Sequence, residues 1–595
     1  MANAQTRPYP ELSIPAIVLG TLQGVAMTAA FVYIALKLGF GLAGSTVAAI
    51  LGFVALRGVL GRKSIVENNI NQTVASGINT ASAGVTFTLP ALLLMSVTDP
   101  ELAEFPYLPL IVSAIAGSLL GIVLIIPLRK QMIEFERLRF PSGTAVATLL
   151  RSPGEGMTQG VLLLSGAGLA CALTLLVEFG YVPGDLDIGG PLGLPAFVPF
   201  ALYVSTANFG AGLLSGRGGL PFAFGGVLAW WFVSPIAVSQ GWVPAPPAVA
   251  ADALAGWQAG EVYGQMLRPL GIGMLIGGAL AGVVAAAPAV VGAMRSLSAA
   301  AKLAAEKGAS PEEVDVKWVY GGAVFAFGLL FAAAALTPGT SLLNAAAIAF
   351  VGAIWIGLAG IIVAQATGHT DISPLSGLSL IAVTLMFFMT GGNVTASILI
   401  GVAVCIAINQ CADMMSDLKT GHLVGSRPRE QQIAQLLLCW IGPFVAIAVM
   451  FLLWNQAGPG QPGFGPDSQA CIDGTASCLP APQGDALRSI LDALRSSDAA
   501  VDKYVGGAVI GGALSVFPIG GVAVLVGLAM YLPFSITLAY GVGCLTSMAI
   551  ERTQGRSFIG RKLVPFAAGL IVGEALTMLT KVLIDLSMQF LGGGA

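Results

Sequence analysis

The chain has 595 residues, of which 56% are hydrophobic and 10% are charged, and its net charge is -3. Soluble globular domains carry about 25% charged residues, so this composition excludes an ordinary soluble protein. It also excludes a nucleic-acid partner, which would require a basic face. The sequence therefore predicts an all-α polytopic membrane protein surrounded by a lipid bilayer.

Apolar segments separated by breakers predict about 14 to 16 membrane segments, since one crossing needs about 20 residues. The expected crossings lie near residues 13–36, 42–60, 64–97, 107–127, 157–180, 193–214, 219–240, 264–294, 318–337, 342–366, 374–390, 394–415, 430–454, 504–530 and 563–590. Two shorter apolar runs, 140–150 and 532–549, are expected to be half-helices.

Basic residues are concentrated in the loops that share a side with the N-terminus. These loops lie at 57–63, 129–139, 295–317, 416–429 and 551–562. Because cytoplasmic loops are enriched in Lys and Arg, the N-terminus is expected in the cytoplasm. The richness in Ala and Gly favours a multi-pass protein of a prokaryotic inner membrane, which is the plasma membrane of such a cell.

A long polar loop at 455–503 falls on the opposite side of the membrane. It contains Cys471 and Cys478, which are expected to form a disulfide in an oxidising compartment. Apolar residues recur at i, i+3, i+4 and i+7 in Leu487, Ile490, Leu491 and Leu494. This spacing predicts a short amphipathic helix that lies on an apolar surface.

The stretch NNINQTVASGINTASAG at 68–84 is polar, although the chain on both sides of it is apolar. Amides within a membrane need partners in the protein or in a water-filled cavity. Polar residues cover every face of a helix here, so part of the stretch is expected to unwind around a substrate cavity. The alternative is a helix whose polar groups bond to neighbouring helices. The candidate substrate-binding residues are Asn68, Asn71, Gln72, Thr73 and Asn79.

A second polar segment, INQCADMMSDLKTGH from Ile408, can be aligned with INQTVASGINTASAG from Ile70. The motifs RFPSGTAVATL from Arg139 and YLPFSITLAYG from Tyr531 follow in the same order. Two fused halves with the same orientation in the membrane, and with broken or re-entrant helices, would explain both matches. The expected halves are residues 1–317 and 318–595, and the second contains the external insertion 455–503.

The second polar segment adds charged groups to the candidate substrate site. Asn409, Gln410 and Asp413 follow a long apolar run, whereas Asp417 and Lys419 come later. Lys419 fits a cytoplasmic loop equally well. An acid at membrane depth is costly and usually functional, so Asp413 is also a candidate for proton coupling.

Glu574 is the leading candidate for proton coupling. It lies about 16 Å into the last predicted span, close to the middle of the hydrocarbon. Lys581 shares its helical face but lies about 10 Å along the axis, too far for a direct pair. The alternative role for Glu574 is an ion pair that joins two helices. Lys37 is expected to reach the membrane interface from the end of the first span.

Enzyme signatures are absent from the sequence. It has no GxxxxGK[ST] motif for ATP, and no HExxH or GxSxG motif for hydrolysis. Only His369 and His422 are present, so a histidine-rich metal site is not expected. No cofactor is predicted, and protons are the expected coupling ion. Three classes of function remain: a proton-coupled importer, a passive channel, and a membrane-embedded enzyme or assembly factor.

The chain resembles the oligopeptide transporter superfamily, which includes the plant yellow-stripe-like metal-chelate transporters. The resemblance rests on four motifs in the family's order: ENNINQT from Glu67, FPSGTAVATLL from Phe140, DLKTGHLVGSRP from Asp417 and GLIVGEALTML from Gly569. It implies proton-coupled import of small peptides, or of metals bound to peptide-like chelators.

The resemblance also implies site residues in the first three motifs. These are Glu67, Asn68, Gln72 and Thr73, then Pro141, Ser142, Gly143 and Thr144, and finally Asp417, Lys419, Thr420 and Gly421. Ser142 resembles the yellow-stripe-like version of the second motif, where peptide-transporting relatives more often have Glu. Peptide and metal-chelate substrates therefore both remain open, as does a homodimeric assembly.

Overall fold

The fold is taken from a computed structural model. The structure describes residues 11–39, 44–102, 105–151, 156–242, 262–278, 280–281, 284, 313–370, 373, 375–458, 461–473, 478–495, 501–517, 522–530 and 532–592. Residues 295–312 of the predicted basic loop 295–317 lie outside the described residues. The predicted crossing 264–294 also lies partly outside them.

The first part of the chain consists of helices that are interrupted by short irregular turns. Their bounds are α1 Ile14–Leu38, α2 Gly44–Gly52, α3 Ile65–Asn79, α4 Ala81–Ser96, α5 Tyr107–Ile125, α6 Pro141–Leu150, α7 Gly156–Glu178, α8 Thr206–Ser215, α9 Leu220–Val227 and α10 Ser234–Ser239. Tighter or wider helical turns extend several of them, at Phe53–Val59, Pro100–Leu102, Ile126–Leu128, Lys130–Phe135, Gly216–Gly219, Leu228–Val233 and Tyr263–Leu267.

The second part of the chain is also helical. Its helices are α11 Val316–Leu336, α12 Leu342–Thr370, α13 Leu375–Met389, α14 Val394–Val424, α15 Pro428–Leu438, α16 Ile441–Asn455, α17 Gln469–Ile472, α18 Pro482–Arg495, α19 Val501–Leu514, α20 Val522–Met530, α21 Phe534–Gln554, α22 Arg556–Phe558 and α23 Val564–Gly592. A wide turn at Ile559–Leu563 leads into the last helix. The all-α class is confirmed.

Nine helices among the described residues are long and apolar enough to cross a membrane, or ten if the bent pair α15 and α16 forms one span. The larger number expected from the sequence includes shorter apolar helices such as Gly44–Val59 and Leu378–Met389. The short helix expected at 140–150 is confirmed as α6. The half-helix expected at 532–549 is wrong, because α21 has 21 residues.

The predicted crossing 193–214 is wrong in its first part. Two short strands, β1 Asp185–Asp187 and β2 Ala201–Tyr203, pair there in antiparallel register, and α8 begins only at Thr206. The Asp187 side chain accepts hydrogen bonds from the backbone of Gly189 and Gly190, both at 3.0 Å, and so forms a turn. Glycine and proline in the sequence between the strands favour such turns over a helix.

α14 lies at the centre of the bundle, where glycines allow close helix packing. A Cβ atom on Gly117 of α5 would lie 2.3 Å from the Ala403 carbonyl oxygen, and one on Gly84 of α4 would lie 2.3 Å from Ile406. Small residues at helix contacts are typical of membrane bundles, because they let the backbones approach. The same helix also corrects the predicted loop 416–429, since α14 continues to Val424.

Part of the polar insertion packs against the bundle. α18 is the amphipathic helix expected from the leucine spacing, and its Leu487 and Leu491 are buried against the core. Cys471 and Cys478 are joined by a disulfide in the structure.

Candidate functional site

The polar stretch that begins at Asn68 remains helical, so the predicted unwinding is wrong. Ser64 caps the N-terminus of α3 by accepting a hydrogen bond from the Glu67 backbone, and α3 meets α4 at Thr80. Every side chain from Glu67 to Asn79 is buried. The unwinding was expected because one face would otherwise meet lipid. Instead, α1, α2, α14 and α15 enclose the helix, and its amides meet protein.

The two INQ segments lie against each other. Three hydrogen bonds, spaced four residues apart along each helix, join Gln72 with Asp417, Ser76 with Asp413, and Thr80 with Asn409. Ascending positions on α3 therefore pair with descending positions on α14, and the two helices are antiparallel. If the two halves had the same orientation, equivalent segments would run parallel to each other. The structure therefore contradicts the expected equivalence of these two segments.

The Asp417 carboxylate lies at the centre of this interface and is 1% exposed. Its Oδ1 accepts a hydrogen bond from the Gln72 amide, and its Oδ2 accepts one from Gln435 Nε2 at 2.9 Å. Gln431 Nε2 donates to the Asp417 backbone carbonyl at 2.8 Å. Ser45, at the N-terminus of α2, donates to Oδ1 at 3.4 Å. Neutral donors therefore hold this carboxylate.

Asp413 lies one turn away on the same face of α14. It accepts hydrogen bonds from Ser76 Oγ, at 2.7 and 2.8 Å, and from Thr80 Oγ1 at 2.9 Å. It lies about 16 Å from the C-terminal end of α14, or about half of a hydrocarbon core. Among the described residues, no Lys, Arg or His forms an ion pair with Asp413 or Asp417.

Several buried amide oxygens on α3, α14 and α15 have no donor within the described structure. They belong to Asn71, Gln72, Asn79, Gln410, Gln431 and Gln435. Amide nitrogens of the same side chains do form hydrogen bonds: Gln410 Nε2, for example, donates to the Gly77 carbonyl at 3.3 Å. The interface therefore contains an excess of hydrogen-bond acceptors.

The remaining predicted residues on α3 face other helices. Asn68 Nδ2 donates to the Ala49 carbonyl at 3.1 Å, and Asn71 Nδ2 donates to Gln23 Oε1 at 3.1 Å. Thr73 accepts a hydrogen bond from Gln431 at 2.9 Å. These residues therefore anchor α3 to α1, α2 and α15.

Ser142, Thr144 and Lys419 do not join the hydrogen bonds of the two acids. Ser142 is half-buried, and Thr144 is exposed and donates to the Arg139 carbonyl at 2.7 Å. Lys419 is buried within α14, so its placement in a loop is wrong. α6 meets α14 through a hydrogen bond of 2.9 Å from Thr420 to the Gly143 carbonyl.

Glu574 forms an ion pair with Lys37, with 2.6 Å between Oε1 and Nζ and side-chain exposures of 4% and 2%. Its carboxylate also accepts from Ser205, from Thr206 at 2.9 Å and from the Ala207 backbone at 2.9 Å. These groups form the N-terminus of α8, which favours a negative charge. The alternative interpretation of Glu574, an ion pair between helices, describes this geometry.

The expected extension of Lys37 toward solvent is wrong, because its side chain is buried inside the bundle, where Glu574 neutralises it. Its ammonium lies 4.9 Å from the centre of the Tyr203 ring. Burial raises the pKa of Tyr203, in β2, to about 12, so its hydroxyl stays protonated. One feature of the sequence could have indicated a buried ion pair, because Lys37 is the one charged residue of α1.

A pocket adjoins this ion pair. Its lining includes Tyr33, Lys37, Glu178, Thr206 and Glu574. Glu178 forms a second ion pair with Lys581, whose side chain is 41% exposed. Lys581 therefore pairs with α7 and not with Glu574, as its distance along α23 predicts.

Two residues of the Asp417 site, Gln431 and Gln435, were missed by sequence reasoning. They lie four residues apart in PREQQIAQLLL, so they share one face of α15. Two glutamines on one face at the start of an apolar helix are a signal comparable to the INQ segments, but their partner on α14 could not be deduced from it.

Comparisons with known proteins cover almost the whole chain. The family model described as "OPT oligopeptide transporter protein" matches residues 11–584. A protein of Haemophilus influenzae named as an oligopeptide transporter is 28% identical over 91% of this chain and 91% of its own length. The iron-phytosiderophore transporter yellow stripe 1 of Zea mays is 25% identical over 76% of this chain and 72% of its own. A metal-nicotianamine transporter of Oryza sativa subsp. japonica is 25% identical over 58% of this chain and 54% of its own.

Proposed function

Because the chain belongs to the oligopeptide transporter family, whose members are transporters and not enzymes, we propose that it is a proton-coupled secondary transporter. It imports small oligopeptides or peptide-like metal chelates across the plasma membrane by alternating access, with its N-terminus in the cytoplasm. The observation that carries the proposal is the pair of carboxyl groups, Asp413 and Asp417, inside an apolar bundle and without a cationic partner among the described residues.

Peptide-like substrates are recognised through their amide groups. The oxygens of Asn79 and Gln410, which have no donor among the described residues, are suited to accept hydrogen bonds from substrate N–H groups once α3 and α14 separate. A buried amide oxygen without a donor is unfavourable by about 1–3 kcal/mol. A substrate that supplies N–H donors to these oxygens would remove that cost, which favours its binding. Asn68, Thr73 and Asn409 then support the helices that hold these oxygens.

Proton coupling is assigned to Asp413 in preference to Glu574. Lys37 and three further donors neutralise Glu574, so its charge is already compensated. Among the described residues, Asp413 receives hydrogen bonds only from hydroxyl groups, and it lies one helical turn from the second carboxylate, Asp417. An uncompensated acid at membrane depth gains most from taking up a proton.

Proteoliposomes that contain purified protein test this assignment. Asp413→Asn keeps the side-chain shape but cannot exchange a proton. This variant should still exchange labelled substrate across the membrane, yet lose accumulation driven by a pH gradient. Glu574→Gln should retain part of that accumulation wherever the protein is folded. Glu101→Gln, at an exposed acid, serves as the control.

Accumulation in wild-type vesicles that survives a protonophore would refute proton coupling altogether. If Asp413→Asn accumulates substrate like wild type while Glu574→Gln does not, Glu574 is the coupling residue. A panel of dipeptides and iron chelates in the same vesicles identifies the substrate class by competition.

A further inference from the structure

Among the described residues, no cationic side chain forms an ion pair with Asp417, but the amides around it include oxygens that could bind a cation. Gln72 and Gln435 turn their NH2 ends toward the Asp417 carboxylate, while their oxygens have no donor in the described part of the chain. Gln431, beside them, likewise has an unpartnered oxygen. All three glutamine side chains are at most 1% exposed. Ser45, at the N-terminus of α2, donates to the carboxylate at 3.4 Å, and the partial positive charge of that helix end favours the negative charge.

Each of these amides can reverse without moving the backbone. The terminal torsion of a glutamine side chain is broad and roughly two-fold, so a half-turn exchanges the oxygen and the nitrogen. Reversal of Gln72 or Gln435 would place an amide oxygen against an Asp417 carboxylate oxygen, and reversal of Gln431 would place one against the Asp417 backbone carbonyl. These contacts are repulsive unless a cation lies between the oxygens. A cation would therefore convert unpartnered oxygens into ligands and neutralise the carboxylate at the same time.

We propose that this cluster binds a sodium ion through the Asp417 carboxylate and the side-chain oxygens of Gln72, Gln431 and Gln435. The empty and occupied states differ by rotation of the glutamine amides. In transport, this cluster would serve as a second coupling-ion site beside Asp413, and that role rests on the proposed function. Binding itself is measurable without transport.

The chemistry of the cluster favours sodium over calcium and transition metals. Ca²⁺ takes six to eight oxygen ligands that usually include several carboxylates, and here one carboxylate is joined by neutral amides. Transition metals prefer imidazole and thiolate ligands. Among the described residues, no group of three or more His, Cys, Asp or Glu is arranged to hold a metal ion.

Equilibrium binding of ²²Na⁺ to the purified full-length protein tests the proposal directly. Wild type should bind ²²Na⁺ saturably, and its melting temperature should rise in sodium chloride relative to choline chloride. Gln435→Met removes one proposed ligand and should weaken sodium binding at least tenfold. Asp417→Asn should abolish saturable binding.

Gln432→Met is the matched control. Gln432 lies on the same helix and is equally buried, but its oxygen accepts a hydrogen bond from the Val314 backbone at 2.9 Å. This variant should bind sodium like wild type. If Asp417→Asn does not fold, the comparison of sodium affinity between Gln435→Met and Gln432→Met tests the proposed site.

The absence of saturable ²²Na⁺ binding to wild type, or equal affinities of the two glutamine variants, would overturn the sodium site. Neither result affects substrate uptake driven by a pH gradient. Conversely, a protein that binds sodium at Asp417 but accumulates no substrate would refute the proposed function and leave the sodium site standing.

Discussion

Lys37 and Glu574 lie almost entirely out of solvent, and each depends on the other for neutralisation. Removing one partner of such a pair leaves an uncompensated buried charge and destabilises a protein by about 3–5 kcal/mol, whereas removing both is often nearly neutral. Lys37→Met alone should therefore lower stability strongly. The double variant Lys37→Met with Glu574→Gln should recover most of the loss.

Unfolding of the purified variants, followed by tryptophan fluorescence, measures this coupling in a double-mutant cycle. The pair Glu178 and Lys581 provides the comparison, because the Lys581 side chain is 41% exposed and water can replace its partner. Lys581→Met should be milder than Lys37→Met. Strictly additive effects of the Lys37 and Glu574 substitutions would contradict the structural role of their contact.

At the scale of helices, glycine determines how closely α5 approaches α14. A Cβ atom on Gly121 would lie 2.4 Å from the Ala407 carbonyl oxygen, a distance that the packed backbones cannot accept without moving apart. Gly121→Ala should therefore destabilise the bundle by about 1–3 kcal/mol, the usual range for overpacking. The apparent melting temperature and the fraction of monodisperse protein report the change.

Gly328 of α11 is the control for this substitution, because a Cβ atom there meets nothing within 4 Å. Gly328→Ala should be neutral or stabilising by up to about 1 kcal/mol, since alanine favours the helix. Equal effects of the two substitutions would mean that α5 and α14 are not in close contact.

For the whole molecule, the charge distribution predicts that the insertion 455–503 lies outside the cell. A membrane-impermeant thiol reagent, applied after reduction of intact cells, should label Cys471 and Cys478. Four of the five other cysteines are buried, and Cys171 is partly buried, so they should react little. Labelling that requires permeabilised membranes would reverse the proposed orientation.

A variant with both Cys471→Ser and Cys478→Ser identifies the source of the label. It should lose the signal from reduced intact cells while its expression remains measurable. A signal that persists in this variant would come from another cysteine and would carry no information about the insertion.

The amino-acid sequence by itself determined the features that depend on local composition and spacing. The scarcity of charge set the membrane class, and the leucine spacing set the amphipathic helix α18. The four motifs pointed to the family, and the two INQ segments were expected to share one site. Each of these signals lies within a short stretch of chain, where periodicity and composition are sufficient.

Only the tertiary structure decided which distant groups meet. It paired Lys37 with Glu574, placed Gln72 against Asp417 and kept the polar stretch of α3 helical by surrounding it with protein. It also set α3 and α14 antiparallel. A buried charge or amide is stabilised by whatever polar partner lies across the helix interface. Packing between segments hundreds of residues apart fixes that partner, and no local pattern encodes it.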